Sequence, residues 1–417
     1  MLRYFMNHRY EYFMHYQDIF KLKNMRILAP LYLLLMFALS SNAQGISKNA
    51  RLSLITCSPG SELYSIFGHS AIRLVDTTTQ TDLIFNYGVF DFSTPHFYWK
   101  FIRGKLQYQL AIQRTSHFLQ GYKRDGRWVK EEKFHLNPQE KRQMIDFLFW
   151  NYQPANRYYL YDFFYNNCST KIWDVASSAV SRKMAFDTSI YRPQSFRNLL
   201  EPYLEREPWA RLGIDLLLGM PADRLASFSQ QMYLPDYLSR HMSYTYLSDP
   251  EKGKVMLLGS EQMLIEPNAD KSELSESLVK PQLAGWMFFV VFLLISFVAG
   301  RKTKKWVDGI FLGLLGLLGM LMIFAWFATN HQQMDGNLNV LWANPLGLLF
   351  GWFVLRNQMQ NAARLMAIWT GLSLLTLVCW HILPQNFNEA LIPVILTIVV
   401  RGADRWLALK RNWQVGI

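Results

Sequence analysis

Cysteine is nearly absent: only Cys57, Cys168 and Cys379 occur in 417 residues. No C-x-x-C and no H-x-x-x-H spacing is present, so the sequence encodes no regular metal site and no cofactor is expected. Charge of either sign is scarce beyond Lys280, where the chain turns apolar, while residues 45–280 carry mixed charges and turn residues. That asymmetry predicts a soluble half followed by a membrane half. Lys and Arg are missing from two connecting stretches, "TNHQQMDGNLN" and "PQNFNEA", although the formal charge is +12.

The N-terminal region contains "MRILAPLYLLLMFALSSNAQG". Arg26 precedes a short apolar core, Ile27 to Leu39, and then Ser41-Asn42-Ala43, the order of a secretory signal peptide cleaved after Ala43. The core is short for a spanning helix. Residues 1–24 match no targeting pattern, and the simplest reading takes Met25 as the biological start. Three regions are therefore expected: an extension and signal peptide over 1–43, an exported domain over 44–280, and a transmembrane domain over 281–417.

Five apolar segments follow Lys280, over 283–300, 306–328, 338–355, 365–383 and 390–409. The fifth is interrupted by Arg401, Asp404 and Arg405, whose charges are expected at headgroup level with their stems snorkelling. "RKTKKW", "RNQMQNAAR" and "KRNWQ" carry the basic residues, and the two Lys/Arg-free connections alternate with them. Five spans with the exported domain outside satisfy the positive-inside rule at every loop. His331, Asp335, Asn337, Asn339 and Asn344 are polar groups at or near the outer bilayer edge. Such groups face a bundle interior or a cavity and mark function, or else are loop polarity and an Asn-Pro cap.

In the exported half "RLSLIT", "SAIRLVD", "LIFNYGVFDF", "KLQYQLAIQR" and "RWVKEEKFHL" read as strands. "NPQEKRQMIDFLFWNY" reads as a helix with Asn137 as N-cap, Pro138 at its first position and Glu140 at its third. Its apolar face is Met144, Ile145, Leu148 and Phe147. "CSTKIWDVASSAV" reads as a second helix starting at or just after Cys168, capped by Asn167 or Ser169. Residues 186–275 are less regular, with helical pieces broken by proline. Strands flanked by helices make this domain α+β.

A cysteine at a helix N-terminus has its thiolate stabilised by the dipole and by unpaired N–H groups. Cysteine catalysis also needs an imidazole as base and a polar group to orient it. His69, after a glycine at a strand entry, is the best candidate base, and Asn86 on the next strand the candidate orienter. His96, His117, His135 and His241 are the other histidines of this half. A Cys57–Cys168 disulfide is the competing use of both cysteines in an oxidising compartment. Cys379, in an apolar span, reads as buried filler.

"FGHSAIRL" followed by "YNNCSTKIWDV" resembles the circularly permuted branch of the papain-like, NlpC-type hydrolases, in which the His strand precedes the Cys helix. More specifically, "ITCSPGSELYSIFGHSAIRL", "FNYGVFDF", "NNCST", "LGIDLLLGMPADR" and "MYLPDYL" resemble the exported domain of the Lnb family of Bacteroidetes. Members join that domain to a five-helix membrane domain, and the resemblance covers residues from about 50 to 410. It implies a permuted papain-like domain and acyl transfer through a cysteine thioester. The acyl chain would pass from a membrane phospholipid to the α-amine of a lipoprotein's lipid-modified N-terminal cysteine. It further implies Cys168 as nucleophile, His69 as base and Asn86 as orienter, in the inner membrane, with His331, Asn337, Asn339 and Asn344 available to bind substrate. The alternatives are an exported cysteine hydrolase cutting cell-wall peptide or lipid esters, and a non-catalytic membrane assembly component with the disulfide. The positive charge suits an anionic lipid surface, and nucleic acid is excluded as a partner by export.

Overall fold

The computed structural model describes residues 46–267, 279–356 and 358–414; the expected signal peptide and the residues before it lie outside them. Of the described residues, 46–50 together with Asp76–Thr81 form one unit, and Arg51–Val75 with the residues from Asp82 onward form the other. Within the first, the Asp76 carboxylate accepts from the Ser47 amide (2.6 Å), the Ser47 hydroxyl (2.8 Å) and the Thr78 amide (2.9 Å).

The strands of the exported half are β1 (Arg51–Cys57), β2 (His69–Asp76), β3 (Thr81–Val89), β4 (Gln107–Arg114), β5 (Val129–Phe134), β6 (Tyr158–Leu160), β7 (Met184–Phe186), β8 (Thr245–Asp249), β9 (Gly253–Met256) and β10 (Leu258–Ile265). Seven form one sheet in the order β10-β5-β1-β2-β3-β4-β6, and β7-β8-β9 form a second. Alternation builds two buried faces on the large sheet. Ile55, Cys57, Ala71, Ile84 and Val129 meet Phe118 on one side, and Phe85 meets Phe149 edge-on at 5.3 Å on the other. A strand buried on both faces reads as a near-continuous apolar run, as "LSLITC" does.

Helices α1 (Phe97–Ile102), α2 (Thr115–Asp125), α3 (Pro138–Tyr152), α4 (Cys168–Ala179), α5 (Phe196–Leu204), α6 (Pro208–Leu217), α7 (Phe228–Gln231) and α8 (Pro235–Ser243) surround the sheets. The expected capping box of α3 is formed by Asn137 and Glu140. Its buried face is Met144, Ile145 and Leu148, while Phe147 is exposed. The irregular stretch 186–275 holds α5 to α8 and also β8 to β10, which its weak alternation concealed. Helices α1 and α2 went unread because the first is one and a half turns long and the second carries few apolar residues.

The C-terminal region is helical: α9 (Pro281–Val298), α10 (Arg301–Ala328), α11 (Leu346–Leu355), α12 (Met359–Val378) and α13 (Ile392–Gln414). Among the described residues, α9, α10 and most of α12 are long and apolar enough to cross a membrane. The expected span 338–355 is helical only from Leu346, because Asn344 and Pro345 start the helix there, after a 3-10 turn at Leu338–Leu341. Arg401 departs from expectation as well. Its side chain is fully buried rather than snorkelling outward, because Asp308 of α10 takes its guanidinium on both oxygens, at 2.7 and 3.0 Å. Cys379 is only half-buried, at the C-cap of α12.

The two regions are fastened at α6. Leu212 and Leu216 pack against the apolar core of the C-terminal helices. Asp215 accepts from Arg197 of α5 at 3.0 Å and from Asn388 of the C-terminal region at 2.8 Å. Past the helix end, the Gly219 amide donates to the Gln333 carbonyl at 2.9 Å. A Cβ at Gly219 would collide with the backbone carbonyl of Asp335, whereas one at Gly213 would meet nothing within 4 Å. Gly219→Ala should therefore lower thermal stability in detergent by roughly 1–3 kcal/mol, the usual cost of overpacking. Gly213→Ala, inside α6, should raise it by about 0.5–1 kcal/mol. Equal melting temperatures for the two variants would refute this account of the junction.

Candidate active site

Three elements bring the site together, and each is set locally. Gly68 has φ of +79° and a Cβ there would lie 2.8 Å from the Cys57 carbonyl oxygen, so a side chain is excluded on both counts. The tight entry makes His69 the first residue of β2, directly across the ladder from Cys57. Asn86 sits on β3 just before a register shift in the β3–β4 ladder. The extra residue there includes Gly88, whose Cβ would stand 3.7 Å from the Cys168 Cβ. A bulge of this kind bends the strand and re-aims the side chains beside it.

Cys168 is the first residue of α4, and Asn167 is its cap. The Asn167 side-chain oxygen accepts from the amides of Ser169 (2.8 Å) and Thr170 (2.9 Å), while the Thr170 hydroxyl accepts from the Asn167 amide at 2.8 Å. The cap therefore fixes the helix to begin at the cysteine. Its amide nitrogen donates to the carbonyls of Phe163 (2.7 Å) and Tyr233 (2.8 Å), tying the helix start to "MYLPDYL".

His69 and Asn86 are joined by a 2.7 Å bond from Nε2 to Oδ1. With the asparagine oxygen as acceptor, Nε2 carries the proton, and the other ring nitrogen is left for the thiol. Burial alone would push the Cys168 thiol up. The charge of His69 and its hydrogen bond, with further bonds from the Ser70 amide and Ser169, outweigh that and hold the thiol below its ordinary value. For His69 the order is the same: burial lowers it, but the Cys168 charge, the Cys168 bond and the Asn86 bond raise it above the ordinary imidazole value. Both shifts favour a thiolate–imidazolium pair, which is the reactive form of a cysteine.

Cys57 behaves in the opposite way. It is fully buried, and burial pushes its thiol up to about 12 despite a hydrogen bond to Tyr122. Both cysteines are free thiols, so the disulfide is not formed. Tyr159 and Tyr161 close the site, their hydroxyls pushed well above the usual range first by burial and then by the Cys168 charge. Nothing in the sequence singled out these tyrosines, Ser70 or the bulge, although a glycine inside "FNYGVF" was a signal for the last.

The other histidines have separate surroundings. His241 bonds the Tyr237 carbonyl and lies 4.2 Å from the Phe228 ring, and burial lowers it to about 4. His135 bonds the Met256 carbonyl, His96 precedes α1 in a left-handed conformation and His117 lies on α2. Among the described residues no cluster of three or more His, Cys, Asp or Glu could hold a metal.

The four polar residues expected to bind substrate bond the protein itself. His331 Nε2 pairs with the Phe101 carbonyl at 3.2 Å. Asn337 donates to the Leu216 carbonyl at 2.7 Å and accepts from Gln385 at 3.2 Å. Asn339 accepts from the Trp342 indole at 2.9 Å, and Asn344 accepts from the Leu346 amide at 3.0 Å. None of these bonds reaches Cys168, His69 or Asn86. Gln385, Asn388 and Asp215, which complete the junction, were not picked out from the sequence.

The family model described as the Lnb N-terminal periplasmic domain matches residues 41–202, and the one described as the Lnb transmembrane domain matches residues 273–412. No curated protein and no solved structure gives a match.

The opposed behaviour of the two thiols is measurable. Iodoacetamide should alkylate Cys168 of the full-length protein in detergent at pH values below the ordinary thiol range, and leave Cys57 unmodified. In His69→Ala the charge and hydrogen bond that hold the thiol low are lost and burial prevails, so the alkylation inflection of Cys168 should move to higher pH. Peptide mass spectrometry across a pH series reads both; an inflection that stays in place would remove His69 from the pair.

Proposed function

The chain belongs to the Lnb family, and on that premise we propose that it is a membrane-anchored cysteine acyltransferase that N-acylates lipoproteins. The observation that carries the reading is a cysteine at a capped helix start beside a histidine that Asn86 bonds, in a domain bolted to apolar helices; His69 holds the thiol below its ordinary value. Under it, residues 44–280 form a permuted papain-like periplasmic domain and residues 281–417 cross the inner membrane five times. The third crossing joins the 3-10 turn to the ten-residue α11, irregular backbone being tolerated at membrane depth where it is buried in protein. The connection "RKTKKW" and the later basic loops lie on the cytoplasmic side.

The chemistry balances with groups on this chain. His69 takes the Cys168 proton, and the thiolate attacks the carbonyl carbon of a phospholipid ester. The N–H groups of Ser169 and Thr170 are occupied by the Asn167 cap. Stabilising the tetrahedral oxyanion falls to the Cys168 amide and to the Ser70 amide, which already donates to the sulfur. The C–O bond breaks, the imidazolium gives its proton to the departing lysolipid oxygen, and a thioester remains. The α-amine of the lipoprotein's N-terminal cysteine then attacks the thioester carbonyl. His69 accepts the amine proton as the C–S bond breaks, leaving an amide and the starting thiolate. Asn86 keeps the imidazole in one tautomer throughout. No cofactor or metal takes part.

His331, Asn337 and Asn339 act in this reading through position: they hold the periplasmic domain against the membrane region, while Asn344 caps the start of α11. An amine competes with water only where it is pre-positioned or water is kept out, and a fastened membrane domain serves both needs.

Mass spectrometry of a lipoprotein's N-terminal peptide in a strain relying on this protein tests the proposal. Cys168→Ala and His69→Ala should abolish the N-linked acyl chain, and Asn86→Ala should slow its appearance by about 10–100-fold, below the range for losing a general base outright. Persistent N-acylation in both of the first two variants defeats the proposal; cleavage of wall peptide with unchanged lipoprotein N-termini would favour the hydrolase.

A further inference from the structure

Helix α1 is short, aromatic and turned outward: Tyr98 is 74 %, Trp99 53 %, Phe101 50 % and Ile102 48 % exposed. Soluble surfaces rarely gather four large apolar side chains on one and a half turns, and such a patch marks an interaction site. Lys100 lies within the helix and Arg103 and Lys105 follow it, with no acidic residue in its first turn.

The neighbours of α1 identify what covers it. The Trp99 ring lies 5.9 Å from the Phe324 ring, and Arg103 Nε donates to the Ala328 carbonyl at 3.1 Å, both near the C-terminal end of α10. The Arg103 carbonyl accepts from the Asn330 amide at 2.9 Å. Lys304 and Lys305 stand near the start of α10, and Phe324 comes 19 residues after Lys305. At about 1.5 Å per residue that is about 28 Å, close to the roughly 30 Å thickness of a bilayer's hydrocarbon core. With the lysines at one headgroup layer, Phe324 and the Trp99 against it stand at the other.

A packed line of aromatics runs from α1 to the cysteine. Phe97, the buried residue of α1, lies 5.7 Å from Phe90, which lies 5.2 Å from Tyr108. Tyr108 stacks on Tyr161 at 4.4 Å. Tyr161 and Cys168 flank Gly88: a Cβ there would stand 3.9 Å from Tyr161 and 3.7 Å from the Cys168 Cβ.

We propose that α1 is an interfacial helix that sits in the outer headgroup layer of the bilayer, with Tyr98, Trp99, Phe101 and Ile102 among the lipids, and that the aromatic wall behind it leads a phospholipid ester from that layer to Cys168. Aromatic and basic side chains are the residues that settle at this depth. The docking rests on the membrane placement above, and the delivery step rests on the acyl-transfer reading.

The test uses the full chain in phospholipid nanodiscs, with benzoylphenylalanine in place of Tyr98 or Ile102. Irradiation should yield phospholipid adducts by mass spectrometry at both positions, in Cys168→Ala as well as in the unaltered protein. Absence of lipid adducts at both positions overturns the docking, whatever the activity. For delivery, the double variant Tyr98→Asp and Ile102→Asp should slow thioester formation from bilayer phospholipid by about tenfold or more, through the charge placed at an anionic surface. Its alkylation of Cys168 by water-soluble iodoacetamide should stay unchanged. An unaltered thioester rate refutes delivery, as does an equal loss of alkylation, which would mean a disrupted site. Lipid adducts with no N-acylation in the unaltered protein would leave the docking standing and sink the acyl-transfer reading alone.

Discussion

One side-chain amide, that of Asn167, holds the arrangement together. Its oxygen takes two of the orphan N–H groups of α4, and its nitrogen binds two carbonyls from other segments. The first pair of bonds decides that the helix starts at Cys168, so the sulfur sits where the dipole is positive. The second pair decides where that helix start lies in the fold. A hydroxyl in place of the amide would offer one donor to the two carbonyls that Asn167 serves. The cysteine's chemistry thus depends on a residue that never touches a reacting atom.

Cys57 and Cys168 show what burial does and does not decide. Both are deeply buried, and burial is the largest influence on each thiol. Cys57 has only the Tyr122 phenol and the Arg127 guanidinium to oppose it, and remains a protonated thiol. Cys168 faces an imidazole locked by Asn86 and an amide donor from Ser70, and the balance reverses. A thiolate in a dry pocket survives only while its counter-charge stays fixed, which is why the Gly68 turn and the Gly88 bulge matter. They hold the histidine and asparagine strands at the spacing the pair requires.

Much of this was legible in the chain. "FGHS", "NNCST" and the Asn137 capping box are local signals whose physics is complete within a few residues, and the structure builds each of them as written. The His69–Asn86 bond was inferred from neighbouring strands and is present. The tyrosines near Cys168 and the outward face of α1 were not legible, since a side chain's partners depend on which segments the fold brings alongside. Arg401 departs in the same direction: a charge in an apolar run suggested a snorkelling side chain, but it is buried against Asp308, 93 residues away in sequence.

The membrane-edge asparagines carry the same lesson about function. Polar groups expected at a bilayer edge raise a choice between substrate and structure, and the hydrogen bonds present here serve structure. Asn337 spends its amide on the Leu216 and Leu217 carbonyls and its oxygen on Asn339 and Gln385. Asp215 is held between Arg197 and Asn388. Unpaired, these groups would each carry a desolvation cost; paired across two regions, they make relative movement expensive, because sliding would break several bonds in a site water enters poorly. For the acyl transfer proposed above, rigid fastening suits a two-substrate reaction at a surface. Distance and orientation between the thiolate and lipids confined to a plane are then set once, by the protein, rather than found at each encounter.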